Sequence, residues 1–347
     1  MILFFLSSGL FLGWSLGAND ASNIFGSAVG SRMVKFTTAA IVASIFVILG
    51  ATFQGEGGAD TLSDLGSVDA IAGSFTVALA SALTVFLMTK LKLTVSTSQA
   101  IVGAIIGWNF YANRPTNMKL LGEIASTWVI GMILGGIIAI ILFFATKRLF
   151  AWLKLHLLWK HTVLKIMLIV IGAFGAYSLG ANNIVNVMGV FVNSVDIKPL
   201  NIGFTTLSGA QQLFFIGAVA ISVGIFTYSK QVIETVGNDL MPLSAETAMV
   251  VVLAQSIVLF IFSSKELSDA IAWLGLGHIP QVPISSTQVV IGAIVGIGLL
   301  KGGHSIKFNV LGNIMLGWIA TPLLAGITSF VLLFFVNNIF NQPVCGG

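Results

Sequence analysis

One acidic residue, Asp20, lies inside an apolar run of the sequence, in the stretch GANDASN at residues 17–23. A charged side chain within a membrane-spanning segment costs about 3 kcal/mol or more, so such residues are usually functional. The carboxylate of Asp20 and the amide oxygens of Asn19 and Asn23 are hard ligands that suit a cation such as Na⁺. The alternative is that Asn19 and Asn23, one helical turn apart, only bond to a neighbouring helix.

A second polar stretch of the same type, GANNIVN, occurs at residues 180–186. Polar interruptions at corresponding places in two halves of a chain point to a binding site in the middle of the membrane. We expect Gly17 to let the backbone leave helical geometry, so that main-chain oxygens also become ligands. The amides of Asn182, Asn183 and Asn186 are the second set of candidate sodium ligands.

Two stretches rich in hydroxyl groups also correspond, STSQ at 96–99 and SSTQ at 285–288. Their S-x-x-Q spacing is typical of a capping box, in which the serine and glutamine side chains close a helix start. Each stretch precedes an apolar run that contains glycines at intervals, so we predict two half-helices that begin inside the membrane. Their N–H groups, helix dipoles and hydroxyls form an anion site without a basic residue. Otherwise, the hydroxyls serve only as caps. The candidate anion-binding residues are Ser96, Thr97, Ser98, Gln99, Ser285, Ser286, Thr287 and Gln288.

The sixteen Lys and Arg residues all lie in loops or at the ends of apolar runs. None is available to neutralise an anion in the middle of the membrane. Cations held by the two polar stretches would supply the missing charge, so each ligand would strengthen binding of the other. This reciprocity is what a symporter requires.

Composition identifies the fold class as an all-α polytopic membrane protein. The chain has 347 residues, of which 56% are hydrophobic and 8% are charged, and its mean hydropathy is +1.02. Soluble domains carry about 25% charged residues. The apolar runs predict about 10–12 membrane segments in a lipid bilayer, of which 93–111 and 279–300 either span or re-enter. The basic residues follow the positive-inside pattern and do not indicate nucleic-acid binding.

Three other classes of protein lack their signatures in the sequence. An ATP-driven pump within this chain would need a P-loop, and no GxxxxGK[ST] motif is present. An anion channel would need rings of charge along a pore. An intramembrane enzyme would need a base or nucleophile beside Asp20, and no histidine, cysteine or second acid lies at membrane depth. We therefore expect neither enzyme activity nor an organic cofactor.

The matching residues of the two halves occur in the same order along the chain. Besides the stretches above, Leu121, Gly122 and Trp128 correspond to Leu311, Gly312 and Trp318. Each half has an odd number of predicted crossings, so the halves must be inverted. We predict a first repeat at 1–146, a basic cytoplasmic linker at 147–165 and a second repeat at 166–347. Basic residues crowd the linker, which places both termini outside a plasma membrane.

The paired GAN stretches, the paired hydroxyl stretches and the inverted repeat resemble the PiT-type inorganic phosphate transporter family over nearly the whole chain. That family consists of sodium- or proton-coupled symporters. The resemblance implies an ion and phosphate region formed by Asn19, Asp20, Asn23, Asn182, Asn183 and Asn186, closed by the hydroxyl stretches. It also implies that Asp20, Asn23 and Asn186 contact substrate. One departure is Asn183, because the family often has aspartate in both copies.

The resulting expectation is a sodium-coupled inorganic phosphate symporter that works by alternating access at a site in the middle of the membrane. Sodium ions and inorganic phosphate are the expected ligands. A proton-coupled phosphate or sulfate permease of the same fold is the alternative, because related sulfate permeases look similar. A homodimer is common for such folds.

Overall fold

The computed structural model consists almost entirely of α-helices. It describes residues 2–91, 93, 95–154, 156–201, 203, 206–230, 232, 241, 243–275, 277–304 and 306–346. The helices of the first half are α1 Ile2–Gly30, α2 Phe36–Gln54, α3 Ala59–Leu65, α4 Ile71–Lys90, α5 Thr97–Tyr111 and α6 Met118–Leu153. Those of the second half are α7 Leu157–Val192, α8 Gly209–Thr227, α9 Ala245–Ser263, α10 Lys265–Trp273, α11 Ser286–Leu300 and α12 Phe308–Asn338. A short 3₁₀ turn, Gly55–Gly58, follows α2, and strands β1 Leu200–Asn201 and β2 Thr206–Leu207 pair antiparallel.

Eight helices in the described part of the chain are long and apolar enough to cross a membrane: α1, α2, α4, α6, α7, α8, α9 and α12. This confirms the prediction of an all-α polytopic membrane protein. The long helices α6 and α12 expose many apolar side chains, including Ile133, Ile137, Leu316 and Leu323. In a membrane these faces contact lipid, since bilayer hydrocarbon replaces the apolar core as their environment.

Helices α5 and α11 are the two half-helices predicted from the sequence. Each has 15 residues, which at 1.5 Å per residue is about 22 Å and is shorter than a hydrocarbon core of about 30 Å. Neither helix therefore crosses the membrane by itself, and each completes a crossing together with the extended segment that precedes it. Together with the eight long helices they account for ten apolar segments, at the lower end of the predicted range.

The two halves pack against each other through equivalent helix pairs. Helix α1 packs on α8, and its counterpart α7 packs on α2. Helix α6 packs on α11, and its counterpart α12 packs on α5. Each pair joins one helix from each half, so neither half buries its own half-helix alone.

The GAN stretches remain helical, so the predicted departure from helical geometry at Gly17 is wrong. Helix α1 runs without interruption through 17–23, and α7 does so through 180–186. The glycines serve packing instead. A Cβ atom on Gly17 would overlap the main-chain oxygen of Ile221 in α8, and one on Gly180 would overlap that of Val47 in α2.

Polar contacts distinguish the two ends of the helix bundle. At one end, here called the Arg114 end, Arg114 forms an ion pair with Asp69 at 2.8 Å. The opposite end is called the Lys301 end: there Lys301 Nζ donates to Thr247 Oγ1 at 3.2 Å, and Lys160 pairs with Glu246 at 2.5 Å. Most of the predicted linker 147–165 is helical at this end, because α6 continues to Leu153 and α7 begins at Leu157.

The C-terminal tail is bound at the Arg114 end. Trp108 Nε1 in α5 donates to the main-chain oxygen of Val344 at 2.9 Å, and the N–H of Gly346 donates to Asp69 at 2.8 Å. Although burial by itself raises the pKa of Asp69, the Gly346 N–H and the Arg114 guanidinium outweigh it and lower that pKa. The carboxylate is therefore charged at neutral pH and holds both partners.

Candidate functional site

The two half-helices meet at their N-termini through a reciprocal pair of hydrogen bonds. Ser98 Oγ in α5 donates to the main-chain oxygen of Ile284 at 3.1 Å, just before α11. Thr287 Oγ1 in α11 donates to the main-chain oxygen of Val95 at 3.0 Å, just before α5. Each hydroxyl thus binds the backbone that leads into the other half-helix.

From this meeting point α5 and α11 run in opposite directions. The C-terminal part of α5 lies at the Arg114 end, where Asn109 Nδ2 donates to the main-chain oxygen of Leu65. The C-terminus of α11 lies at the Lys301 end, next to Thr247 at the start of α9. Both positive helix dipole ends therefore point toward the interior, as an anion site requires.

The predicted capping boxes are only half formed. Ser96 Oγ accepts from the N–H of Gln99, and Ser285 Oγ accepts from the N–H of Gln288, each at 3.3 Å. The glutamine side chains do not fold back, and their buried Oε1 atoms have no hydrogen-bond partner in the described structure. The same spacing gives a complete box at Ser208, at the start of α8. The two glutamine oxygens inside the bundle are thus left to a ligand or to water.

Asp20 connects the first half of the chain to the second. It is 1% exposed, and within the described residues it is the only buried side chain that carries a charge. One carboxylate oxygen accepts from Ser286 Oγ of α11 at 2.9 Å. The other accepts from Asn19 Nδ2 at 2.8 Å. Both carboxylate oxygens therefore have a fixed direction, with lone pairs still free for a cation.

Asn186 connects the second half to the first. Its Nδ2 donates to Ser98 Oγ in α5 at 2.9 Å and to Asn183 Oδ1, one turn earlier in α7, at 3.1 Å. The two GAN stretches therefore each contact the half-helix of the opposite half. This crossing brings all four polar stretches into one buried region.

Asn182 holds the backbone that approaches α11. Its Oδ1 accepts from the N–H of Ile284 at 3.1 Å, and its Nδ2 lies 3.5 Å from the main-chain oxygen of Val282. This side chain keeps the segment extended at membrane depth, where unpaired backbone groups are costly.

Nearly all of the predicted site residues are buried, and Asn23 alone is partly exposed. No hydrogen bond joins the Asn23 side chain to another described residue, and its role stays a prediction. The buried site atoms that find no partner in the described residues are Thr97 Oγ1, Gln99 Oε1, Asn183 Nδ2, Asn186 Oδ1 and Gln288 Oε1. An unpaired buried polar atom costs about 1–3 kcal/mol, so a cluster of them indicates a place for a ligand or water.

Gln255 in α9 is a buried polar residue that we did not predict from the sequence. It is 1% exposed, and neither its Nε2 nor its Oε1 has a partner in the part of the chain described. The sequence feature that could have identified it is a single glutamine in an apolar run, because a polar side chain is unusual inside a membrane-spanning segment.

Comparison with known proteins gives a consistent result. A family model described as the phosphate transporter family matches residues 16–161 and 158–329. A protein of Methanocaldococcus jannaschii, provisionally named a phosphate permease, is 30% identical, and the alignment covers 91% of this chain and 92% of that protein. A similarly named protein of Pyrococcus abyssi is 24% identical over 95% of this chain and 96% of its own length.

A solved structure has the same fold. It is described as the sodium-dependent phosphate transporter and superimposes with a TM-score of 0.73, covering 97% of this chain and 99% of its own, at 21% identity. The two proteins therefore share their fold over nearly their whole lengths. The family match extends over both halves, including all four polar stretches, and the chain belongs to the phosphate transporter family.

Proposed function

We propose that this protein is a sodium-coupled symporter of inorganic phosphate that works by alternating access. The observation that carries the proposal is the Asp20–Ser286 hydrogen bond, which places the one buried carboxylate of the described chain beside the start of a half-helix. A cation bound at Asp20 would lie close to an anion bound at the helix N-termini. The two ligands would stabilise each other directly.

Charge supports coupling between the two ligands. Phosphate at the half-helix starts would face Asp20, and the described structure buries no Lys or Arg to offset the two negative groups. Burying an uncompensated charge is expensive, so phosphate binds strongly only with a cation in place. Sodium fits the available ligands, which are carboxylate, amide and hydroxyl oxygens.

The inverted halves support alternating access. Each half-helix leads from the central site to a different end of the bundle, and each packs on a long helix of the opposite half. Rocking of one half against the other would open the site to the Arg114 end or to the Lys301 end in turn. We assign the Lys301 end to the cytoplasm, with both termini outside a plasma membrane, and retain the divisions 1–146, 147–165 and 166–347.

The experiment is uptake of labelled phosphate into proteoliposomes, with sodium and proton gradients imposed separately. We expect uptake with an inward sodium gradient and none with a proton gradient alone. Labelled sulfate is assayed in parallel, and transport of sulfate in preference to phosphate would support the permease alternative instead.

The Asp20→Asn variant tests the central residue of the proposal. It keeps the shape of the side chain and removes its charge, so we expect sodium-driven uptake to fall at least a hundredfold in a folded protein. Asp196→Asn is the matched control, because Asp196 is exposed and lies outside the site. Normal sodium-dependent uptake by Asp20→Asn would refute the proposed role of the carboxylate.

A further inference from the structure

Helix α1 reaches the lipid-facing surface between two other helices. Helices α4 and α8 both pack on α1. Side chains on one face of α1 nevertheless remain exposed or only partly covered, namely Phe4, Ser7, Phe11 and Trp14. Residues spaced by three or four positions lie on the same side of a helix. A strip of α1 between α4 and α8 is therefore open to lipid.

Three aromatic rings close this strip at one end. Trp14 contacts Phe86 of α4 with ring centroids 6.0 Å apart, and it contacts Tyr228, just after α8, with centroids 5.5 Å apart. Trp14 Nε1 also donates to Thr227 Oγ1 in α8 at 2.9 Å. Trp14, Phe86 and Tyr228, here called the ring cluster, thus join α1, α4 and α8.

The ammonium group of Lys90 lies over two rings of this cluster. Its Nζ is 5.5 Å from the centroid of Phe86 and 5.4 Å from that of Tyr228, within the range of cation–π attraction. The rings thus hold a long side chain in one place. No ion pair joins Lys90 to a carboxylate of the described residues, so its charge is available to an anion.

Lys90 lies at the depth of lipid headgroups. Helix α4 begins at Ile71, shortly after Asp69 of the Arg114 end, and its 20 residues span about 30 Å. A hydrocarbon core is also about 30 Å thick, so Lys90 lies at the opposite, Lys301 end. Its neighbours Leu87 and Leu91 are 57% and 70% exposed. This surface therefore faces lipid and lies outside the buried site at Asp20.

We propose that Lys90 and the ring cluster bind an anionic phospholipid from the leaflet at the Lys301 end. The ammonium donates to the headgroup phosphate, and an acyl chain lies along Phe11 and Leu87. Charge favours an anionic headgroup, because basic residues at a membrane surface attract such lipids. The bound lipid stabilises the contact of α1 with α4 and α8. The inference is independent of which ion drives transport.

A simpler role for Lys90 involves no particular lipid. Its positive charge complements the negative end of the α4 dipole, and lysine commonly anchors a helix end at the membrane surface. Those effects operate in any bilayer or detergent. Selectivity for an anionic lipid therefore distinguishes a binding site from a plain anchor.

The experiment follows the midpoint of thermal unfolding of delipidated protein in detergent. Phosphatidylglycerol or phosphatidylcholine with the same acyl chains is added in increasing amounts. We expect phosphatidylglycerol to raise the wild-type midpoint further, and Lys90→Gln to need at least fivefold more of it for half the effect. Lys90→Arg should respond as the wild type does, since a guanidinium also stacks on rings and binds phosphate. Equal responses of the wild type to both lipids would overturn the inference, as would equal responses of the wild type and Lys90→Gln.

Lys119→Gln is the matched control. Lys119 is exposed in the first turn of α6 at the Arg114 end, and no aromatic ring holds it within the described residues. Its response to phosphatidylglycerol should equal that of the wild type. A loss as large as that of Lys90→Gln would show a general effect of charge and would overturn the site.

Inorganic phosphate with sodium separates the lipid headgroup from the transported anion. The wild type and Lys90→Gln should be stabilised alike by this mixture, because Lys90 lies outside the buried site. A weaker stabilisation of Lys90→Gln would assign Lys90 to the soluble anion and overturn the lipid site.

A second variant and a second measurement complete the test. If Lys90→Gln does not fold, Tyr228→Leu replaces it, since this change removes a ring that holds the ammonium. Its half-effect concentration of phosphatidylglycerol should rise at least twofold, and an unchanged value would overturn the inference. Native mass spectrometry should show phosphatidylglycerol retained on the wild type and lost from the variant. A dimer that the variant weakens, without bound lipid, would instead identify a second copy of the chain as the occupant.

Discussion

At the scale of single residues, the position of a hydroxyl group determines what the buried carboxylate can do. Ser286 Oγ donates to Asp20, whereas the neighbouring Ser285 Oγ accepts from the N–H of Gln288 as a helix cap. Thr287 uses its hydroxyl to hold the extended segment before α5. Three consecutive hydroxyls therefore perform three tasks: one orients the carboxylate, one caps the helix and one joins the half-helices.

The Ser286→Ala variant should weaken sodium binding more than phosphate binding. A hydrogen bond to a charged group contributes about 1.5–3 kcal/mol, and each 1.4 kcal/mol is a factor of ten in affinity. We therefore expect the sodium concentration for half-maximal uptake to rise about tenfold or more.

The control is Ser222→Ala, because Ser222 Oγ donates only to the main-chain oxygen of Ala218 within its own helix α8. Its sodium dependence should match that of the wild type. An unchanged sodium requirement in Ser286→Ala would show that the hydrogen bond to Asp20 does not orient the carboxylate for a cation.

The residues of the site could be predicted from the sequence because intramembrane polar groups are expensive and stand out. The hydrogen-bond partners of these residues could not be predicted. Whether Asp20 meets Ser286 or another hydroxyl depends on how α1 and α11 cross, and no local pattern encodes that crossing. The free glutamine oxygens were missed for a related reason: S-x-x-Q predicts a closed box, and the environment decides whether Gln99 and Gln288 fold back.

At the scale of elements, glycine in the GAN stretches sets the distance between helices. The main-chain oxygen of Ile221 occupies the space that a side chain at Gly17 would need. The repeat-related contact places the main-chain oxygen of Val47 against Gly180. Close packing of this kind aligns α1 with α8 and α7 with α2.

The Gly17→Ala variant should be destabilised. The added methyl group meets backbone, which cannot rotate away, so α1 and α8 must separate at a cost of about 1–3 kcal/mol or more. We expect a fall of several degrees in the midpoint of thermal unfolding in detergent, and loss of uptake.

Gly122→Ala in α6 is the control for this substitution. A Cβ atom there meets nothing within 4 Å, and alanine is the better helix former. Its thermal stability should equal or exceed that of the wild type. Equal stability of Gly17→Ala and Gly122→Ala would contradict close packing at Gly17.

The half-helices were predictable because their starts carry caps and their apolar runs are short. The continuity of α1 through 17–23 was not predictable, because a glycine close to asparagines also suits an unwound segment. The structure uses the same glycine for contact with α8. A single sequence does not separate these two uses, since both require the absence of a side chain.

At the scale of the whole molecule, the two ends of the bundle differ in the charges they present. The Lys301 end includes the basic segment 147–165, whereas the Arg114 end carries the acidic residues Glu56 and Asp69. In the orientation we propose from the positive-inside pattern, the basic end faces the cytoplasm and both chain termini face outward.

Thiol labelling of intact cells tests this orientation. In a Cys345→Ser background, which removes the one native cysteine, Gln342→Cys should react with a membrane-impermeant maleimide. His156→Cys should react only after the membrane is permeabilised, because it lies between α6 and α7 at the Lys301 end. The reverse pattern of labelling would invert the topology.

The hydrogen bonds from Ser98 and Thr287 also bear on the energetics of an empty carrier. Exchange of the two halves converts one bond into the other, so states open to opposite sides would contain the same pair. Contacts of this kind cancel from the free-energy difference between those states. The resting preference must then arise where the halves differ, as at Asp20 and Asn183, or at Pro322 within α12. In the proposed alternating-access cycle, the bias of the unloaded transporter toward one side of the membrane is therefore set by pairs that differ between the halves, and the matched Ser98 and Thr287 bonds leave it unchanged.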